Sequence, residues 1–330
     1  MTLTIAVTGA TGFLGRPLCA SLAHRGHHVR AFVRDGADSM EGPVHAVAIR
    51  DLDDRSGLRV GCVGADAIVH LAARVHILRD SVPDSVAAYQ RTNVEGTRHV
   101  LKAAAESGVA HAVLLSSVKA VGESNLNPWT EDQPPAPTDP YGQSKHDMET
   151  LALEFGRDTG MRVSILRLPL VYGPGGTGNA HRLLALVDKG WPLPLGSIRN
   201  RRSMIFVDNA VAAITVLSEA SSGTRGVFFA SDGADLSTPE LIRTIAAALG
   251  RPARLIPVPV PLLRAAGKLG DWVHSLIPVP LTSIEVERLS GSLTVATDRL
   301  SEMTGFEPPF SPEEGWSRTA RWLRNAQGDE

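Results

Sequence analysis

The sequence predicts an α/β chain: a doubly wound parallel sheet with a smaller C-terminal substrate lobe. Three observations predict it. Short apolar, β-branched runs alternate with helical patterns through the first half, as βαβ units do. The first run leads directly into three glycines at fixed spacing and then into an amphipathic helix. The second half changes character, with prolines gathering at Pro192 and Pro194, then from Pro252 to Pro261, then at Pro278 and Pro280.

The elements follow in order. Residues 3–7 form the first strand, 8–15 the glycine loop and 16–23 a helix. Strands follow at 28–33, 44–49 and 67–71. A long helix spans 86–107 with Asn93, Gly96 and Thr97 inside it. A strand at 112–115 meets Ser116 and Ser117, a helix opens at Tyr141 after Pro140 and continues past Glu154, and a strand covers 163–166. Such near-continuous apolar runs suit strands covered on both faces. Ligands of these sheets bind beyond the carboxyl ends of the strands. Gly9, Val33, Asp51, Ala72, Ser117 and Pro169 all follow strand ends, which points to one shared site. Later helical patterns cover 180–189, 207–220 and 238–249. Residues 262–276, with Arg264, Lys268, Asp271 and His274, read as an amphipathic surface helix packing the lobe, with a membrane-surface or partner-binding role as the alternative. The organisation expected is a dinucleotide-binding domain at 1–171 and a lobe at 172–330, with 204–208 and 226–230 short enough to return to the main sheet.

Composition narrows the function. The 330 residues carry 43% hydrophobic and 21% charged side chains, ordinary for a globular protein. A net charge of -2 gives no electrostatic case for nucleic acid or an anionic membrane. Cys19 and Cys62 lack metal-ligand spacing and read as reduced thiols, and His24, His27 and His28 read as loop and surface residues, so no metal is expected. No signal peptide precedes the first strand and no run approaches the ~18 apolar residues of a membrane span, which predicts a cytoplasmic protein.

The glycine loop reads as a phosphate cradle. Gly9 permits the turn off the strand, Gly12 lets a pyrophosphate approach the backbone, and Gly15 lets the helix pack closely. The spacing is G-x-x-G-x-x-G, not G-x-G-x-x-G, which points to short-chain dehydrogenases/reductases. Tyr141 and Lys145 lie one helical turn apart, on one face. An ammonium beside a phenol favours the phenolate, and a hydroxyl from Ser117 can hold a substrate oxygen next to it. Y-x-x-x-K is also a common chance pair on helix surfaces; here tyrosine is scarce, with 3 in the chain, and this one follows a glycine loop and a Ser-Ser strand end.

These pieces together resemble an extended short-chain dehydrogenase/reductase of the NAD-dependent epimerase/dehydratase family, with its Rossmann-type sheet. The matching runs are Thr8 to Gly15, Asp51-Leu52, His70 to Ala73, Asn93 to Thr97, Ser116-Ser117, Tyr141 to Lys145 and Arg167 to Pro174, in family order. The resemblance implies Ser117, Tyr141 and Lys145 as catalytic residues, Tyr141 being the acid/base and Lys145 also holding the nicotinamide ribose. It implies a cofactor site of Gly9, Thr11, Gly12, Phe13, Leu14, Gly15, Arg34, Asp51, Leu52, Leu71, Ala72, Ala73, Asn93, Ser116, Tyr141, Lys145 and Pro169. It implies a UDP-sugar substrate touched by Ser117, Asn179, Arg202 and Arg288, and a homodimer through the 86–107 and Tyr141 helices, with Met148, Leu151, Leu153 and Phe155 as apolar surface.

Two departures matter. Where the family often has V-Y-G after the serine strand, this chain has Ala120-Val121-Gly122, and the neighbouring Lys119 has no evident role. Where many NAD-specific members end the second strand in an acid, this chain has Val33 followed by Arg34, which suits a 2′-phosphate and favours NADP over NAD; Asp35 offers a slipped register. That favours a 4-ketoreductase of UDP-4-keto-hexosamines, with a UDP-hexose or UDP-N-acetylhexosamine 4-epimerase holding NAD as the alternative. A dehydratase would want an Asp-Glu pair where Val118-Lys119 stands, and a non-catalytic nucleotide-binding regulator would not need Ser117, Tyr141 and Lys145.

Overall fold

The computed structural model describes residues 1–34, 43–75, 84–220, 223–274 and 282–328, with the backbone only at 272–274 and 327–328. Asp35, Pro278 and Pro280 lie outside the described residues. The first half runs β1 (Thr4–Thr8), α1 (Gly15–His24), β2 (His28–Arg34), β3 (Val44–Ile49), α2 (Arg55–Cys62), β4 (Ala67–His70) and α3 (Ser85–Tyr89). It continues through a π-helical turn (Gln90–Glu95), α4 (Gly96–Glu106), β5 (His111–Ser117), a 3₁₀ turn (Val118–Ala120), α5 (Pro140–Thr159), β6 (Arg162–Leu168) and β7 (Leu170–Tyr172). The second half contains α6 (Asn179–Asp188), β8 (Met204–Phe206), α7 (Val207–Glu219), β9 (Gly226–Phe229), α8 (Thr238–Ala248), α9 (Val260–His274), α10 (Ser283–Ser290), α11 (Asp298–Thr304) and α12 (Pro312–Gly328).

Seven parallel strands form the main sheet in the order β3-β2-β1-β4-β5-β6-β9. The order reverses between β1 and β4, and the crevice beyond their carboxyl ends is where such sheets take ligands. Strand pleating divides the core. Ile5 and Val7 join Leu18, Leu22 and Val69 on one face, while Ala6 joins Phe32, Ile68, Leu101 and Met148 on the other. A third core gathers Tyr172, Phe206, Ile245 and Trp316 within the second half.

Several expectations need correction. The helix expected across 86–107 is three pieces, because a π-helical turn interrupts it and carries Asn93; π-turns often mark functional positions. Of the two candidate returning strands, β9 pairs β6 in the main sheet, but β8 pairs β7 in a separate two-stranded sheet. His27 is no surface residue: it is buried, Leu3 N donates to its Nδ1, and its Nε2 meets Glu219 at 2.7 Å. Met148 and Leu151 are buried in the core, which leaves Leu153 and Phe155 as the half-buried apolar side chains of that helix.

Candidate active site

The glycine loop meets β4 at the switch point. Gly9 has φ +69° and a Cβ there would lie 2.7 Å from Ala72 N, so only glycine fits on both counts. A Cβ at Gly15 would overlap the Gly9 carbonyl, which locks α1 against the loop. Gly12 differs: it is exposed, and within 4 Å a Cβ would meet only Gly9 O, at 3.2 Å. Helix α1 begins behind Leu14 with no side-chain cap and no acid in its first turn. Arg16 N is taken by Gly12 O at 3.1 Å and Pro17 has no N–H, so it is chiefly the positive end of the helix dipole that is offered to an anion. This cradle fits the pyrophosphate of a dinucleotide.

The other expected cofactor residues lie in the glycine loop or near the carboxyl ends of strands. Thr11 accepts Arg16 Nε at its carbonyl, and the Phe13 ring lies against Gly176. Leu71, Ala72 and Ala73 follow β4, with Leu71 N donating to Thr8 O at 3.2 Å. Asp51 and Leu52 follow β3; Leu52 packs on Gly96, where a Cβ would come within 2.7 Å of its Cδ1. Arg34 is exposed as the last residue of β2, and Pro169 is buried between β6 and β7.

Helix α5 opens with Pro140 in its first turn and Asp139 as cap, the Asp139 Oδ1 accepting Gly142 N at 2.6 Å. This start sets Tyr141 near the β5 end, where Ser117 favours its ionised form. Lys119 N donates to Ser117 Oγ at 3.2 Å and orients it. One turn on, Lys145 is buried and its Nζ donates to Leu115 O at 2.8 Å. Burial lowers Lys145 to about 8, opposed by the Glu149 carboxylate. Burial raises Tyr141 to about 12; the Ser117 hydrogen bond opposes this, and Asp139 and Tyr89 add to it. The expected lowering of the phenol by Lys145 does not appear among the influences on Tyr141, and desolvation leaves it a protonated donor at neutral pH.

Two hydrogen-bond networks hold these groups. The Thr97 hydroxyl donates to Asn93 O at 2.6 Å, so the contact at His70 Nε2 (3.0 Å) takes the histidine proton. His70 Nδ1 then accepts from Thr8 Oγ1 at 2.7 Å. The chain Thr8–His70–Thr97–Asn93 ties the cradle to the π-turn. Asn93 pairs both backbone groups of Arg74 and donates to Ser144 Oγ at 2.9 Å, while Ser144 donates to Tyr141 O. Behind Lys145, Glu149 accepts Arg167 at 2.7 Å and the Ser116 hydroxyl at 2.5 Å. Ser116 therefore turns its side chain to Glu149, leaving its backbone to face a cofactor. Sequence reasoning missed His70, Ser144 and Glu149 as supports. Glu149 was legible as the next four-residue step after Tyr141 and Lys145.

On the lobe side, Arg202 and Arg288 are brought together: Arg202 Nη1 donates to Arg288 O at 2.6 Å, and burial lowers the Arg202 pKa against the pull of Glu123. Asn179 stands apart from this pair in role, exposed at the first position of α6. Lys119 is clamped by Glu123 at 2.5 Å and Asp139 at 2.6 Å. Among the described residues no three His, Cys, Asp or Glu side chains gather as a metal site, and no helix is long and apolar enough to cross a membrane.

Residues 5–228 match the NAD dependent epimerase/dehydratase family. A UDP-glucose 4-epimerase of Vibrio cholerae is 34% identical over 97% of this chain and 95% of its own. A dTDP-glucose 4,6-dehydratase of Streptomyces griseus is 31% identical over 98% and 94%. Among solved structures, a UDP-glucuronic acid 4-epimerase from Bacillus cereus in complex with NAD superposes with TM-score 0.76, covering 98% of this chain and 99% of that one at 19% identity, a likeness of fold.

Proposed function

The chain belongs to the NAD-dependent epimerase/dehydratase family of enzymes, and from that premise we propose that it interconverts the C4 epimers of a UDP-hexose or UDP-N-acetylhexosamine. The observation that carries this reading is Tyr141 and Lys145 one turn apart on α5, with Ser117 at the carboxyl end of β5 bearing on the phenol, in the same parallel sheet whose β1 leads into the glycine cradle. The 34% identity to a UDP-glucose 4-epimerase supports the substrate class.

In this reading Gly9 to Gly15 hold the pyrophosphate, and Lys145 reaches the nicotinamide ribose. The bound nicotinamide supplies a hydride acceptor and then a donor at C4. Ser117 positions the C4 oxygen by hydrogen bond. Tyr141 takes the C4 hydroxyl proton in one half-reaction and returns it in the other, which needs its phenolate to be favoured by nearby positive charge, that of Lys145 included. Arg202 and Arg288 face the diphosphate as charged donors. Elimination is disfavoured because Val118 and Lys119 stand where an acid pair would be needed, and Lys119 is bound to two carboxylates.

The purified protein should convert UDP-glucose to UDP-galactose, or the N-acetyl pair, with NAD retained and no net consumption of reduced cofactor. A second reading rests on Arg34 at the end of β2: a 4-ketoreductase of a UDP-4-keto-hexosamine that uses NADPH. Stoichiometric NADPH oxidation by the keto sugar, without epimer interconversion, would establish that reading and overturn the first.

A further inference from the structure

Lys119 is the residue the family pattern leaves without a task. Its side chain is 20% exposed, and its Nζ lies 2.5 Å from Glu123 Oε1 and 2.6 Å from Asp139 Oδ2. Asp139 does two things at once. Its Oδ1 caps α5 through Gly142 N, and its charge bears on Tyr141 two residues later. The 3₁₀ turn carrying Lys119 is pressed onto the start of α5, since a Cβ at Gly142 would overlap Lys119 O. The same turn orients Ser117 through Lys119 N. On the far side, Glu123 carries charge toward Arg202 of the lobe.

We propose that Lys119 is a positioning residue for the Tyr141 hydroxyl: by clamping Asp139 together with Glu123 it neutralises the carboxylate that caps α5, so the cap holds the helix without repelling a developing phenolate. Among the described residues, Ser117 from the end of β5 and Tyr89 from α3, with Arg74 over the Tyr89 ring, also bear on Tyr141, and Lys145 follows one turn later on α5. Among the described residues Asp139 is the carboxylate that bears on Tyr141, and a bare carboxylate at that place would disfavour ionisation of the phenol. Lys119 pairs with Oδ2 and offsets that charge while Oδ1 caps the helix.

The proposal rests on Tyr141 being the acid/base, so the test reads the phenol directly as well as turnover. With 3 tyrosines in the chain, ultraviolet phenolate titration is tractable, and subtraction of the Tyr141→Phe curve isolates the Tyr141 signal. Tyr172 does not interfere, because burial and Asp232 push it far above its ordinary range. The titration is run with saturating oxidised nicotinamide dinucleotide. Lys119→Met should move the Tyr141 midpoint up by about one pH unit and move the acid limb of the turnover profile with it. Lys119→Arg should leave both in place. Adding Asp139→Asn, which keeps a capping oxygen without the charge, should bring the Lys119→Met midpoint back. Asp139→Asn alone should lower the midpoint, an arm that does not depend on the folding of Lys119→Met. An unmoved midpoint in Lys119→Met, or no reversal by Asp139→Asn, overturns the proposal. Undiminished turnover in Tyr141→Phe would overturn the acid/base reading alone.

Discussion

At Tyr141 one oxygen carries the proposed chemistry, and the rest of the ring is packing. Its ring lies 5.9 Å from that of Tyr89, and the first turn of α5 is fixed by Asp139 and Ser144 rather than by the phenol. Tyr141→Phe should therefore keep fold and cofactor affinity while lowering kcat by about 10²–10⁴-fold; steady-state kinetics beside a cofactor titration check both halves. Arg34 decides a different question. It is exposed at the carboxyl end of β2, where an adenosine ribose is expected. A charge-assisted bond to a 2′-phosphate is worth roughly 1.5–3 kcal/mol, so Arg34→Ala should weaken NADP by about one to two orders of magnitude and leave NAD nearly unchanged. Equal losses for the two cofactors, measured by titration, would mean that Arg34 reads the adenine and not the phosphate.

At the scale of elements, the cradle is the part most open to test. Gly12 is the loop glycine with the most room: a Cβ there would meet only Gly9 O, at 3.2 Å, and its φ lies outside the left-handed region. Gly12→Val should fold with a small local shift at the Gly9 carbonyl and lose dinucleotide binding, because the branched side chain fills the pyrophosphate's place; retained affinity by calorimetry would contradict the cradle. The loop, the main-sheet strands of the first half and the Tyr141 helix were legible because each rests on local signals: apolar runs, glycine spacing, a proline in the first helical turn. The π-turn was not, since its extra residue is set by Asn93 reaching Arg74 and Ser144, contacts 19 and 51 residues away in sequence. Helix α2 escaped for a related reason. Its sequence, RSGLRVGC, contains two glycines that lower its helical signal, yet Gly61 is where the Phe32 ring packs. The partner of β8 was misjudged because a three-residue strand has too little pattern to choose between sheets.

At the scale of the whole molecule, two buried histidines set the acid limit. Burial, with nearby Lys145 and Arg162 adding, lowers His70 and His111 to about 3. Unfolded histidine takes a proton near pH 6.5, so below that value the unfolded state binds more protons and stability falls until the folded values are reached. Each contributes up to about 1.4 kcal/mol per pH unit in that window. Urea midpoints should fall from pH 7 to pH 5, above the range where carboxylates titrate, and His111→Asn should shallow the slope; a flat profile would count against buried neutral histidines. Assembly is the other global property. Homodimerisation through α4 and α5 is expected to use Leu153 and Phe155, since Met148 and Leu151 are consumed by the core. Light scattering should report a dimer, and Leu153→Glu with Phe155→Glu should give a monomer.

The placement of β9 also has a consequence for synthesis. β6 ends at Leu168 and its outer neighbour begins at Gly226, so 57 residues (169 to 225) separate the two strands in the chain. The face shared by Ile5, Val7 and Val113 is likewise completed by Ile214, Leu217 and Phe228. On a ribosome adding about 5–20 residues per second, the emerging first half waits several seconds with an open hydrogen-bonding edge and an uncovered apolar face. The nascent chain is most vulnerable to misassociation in that interval, and a holdase bound there would have a defined release signal: the arrival of the last strand.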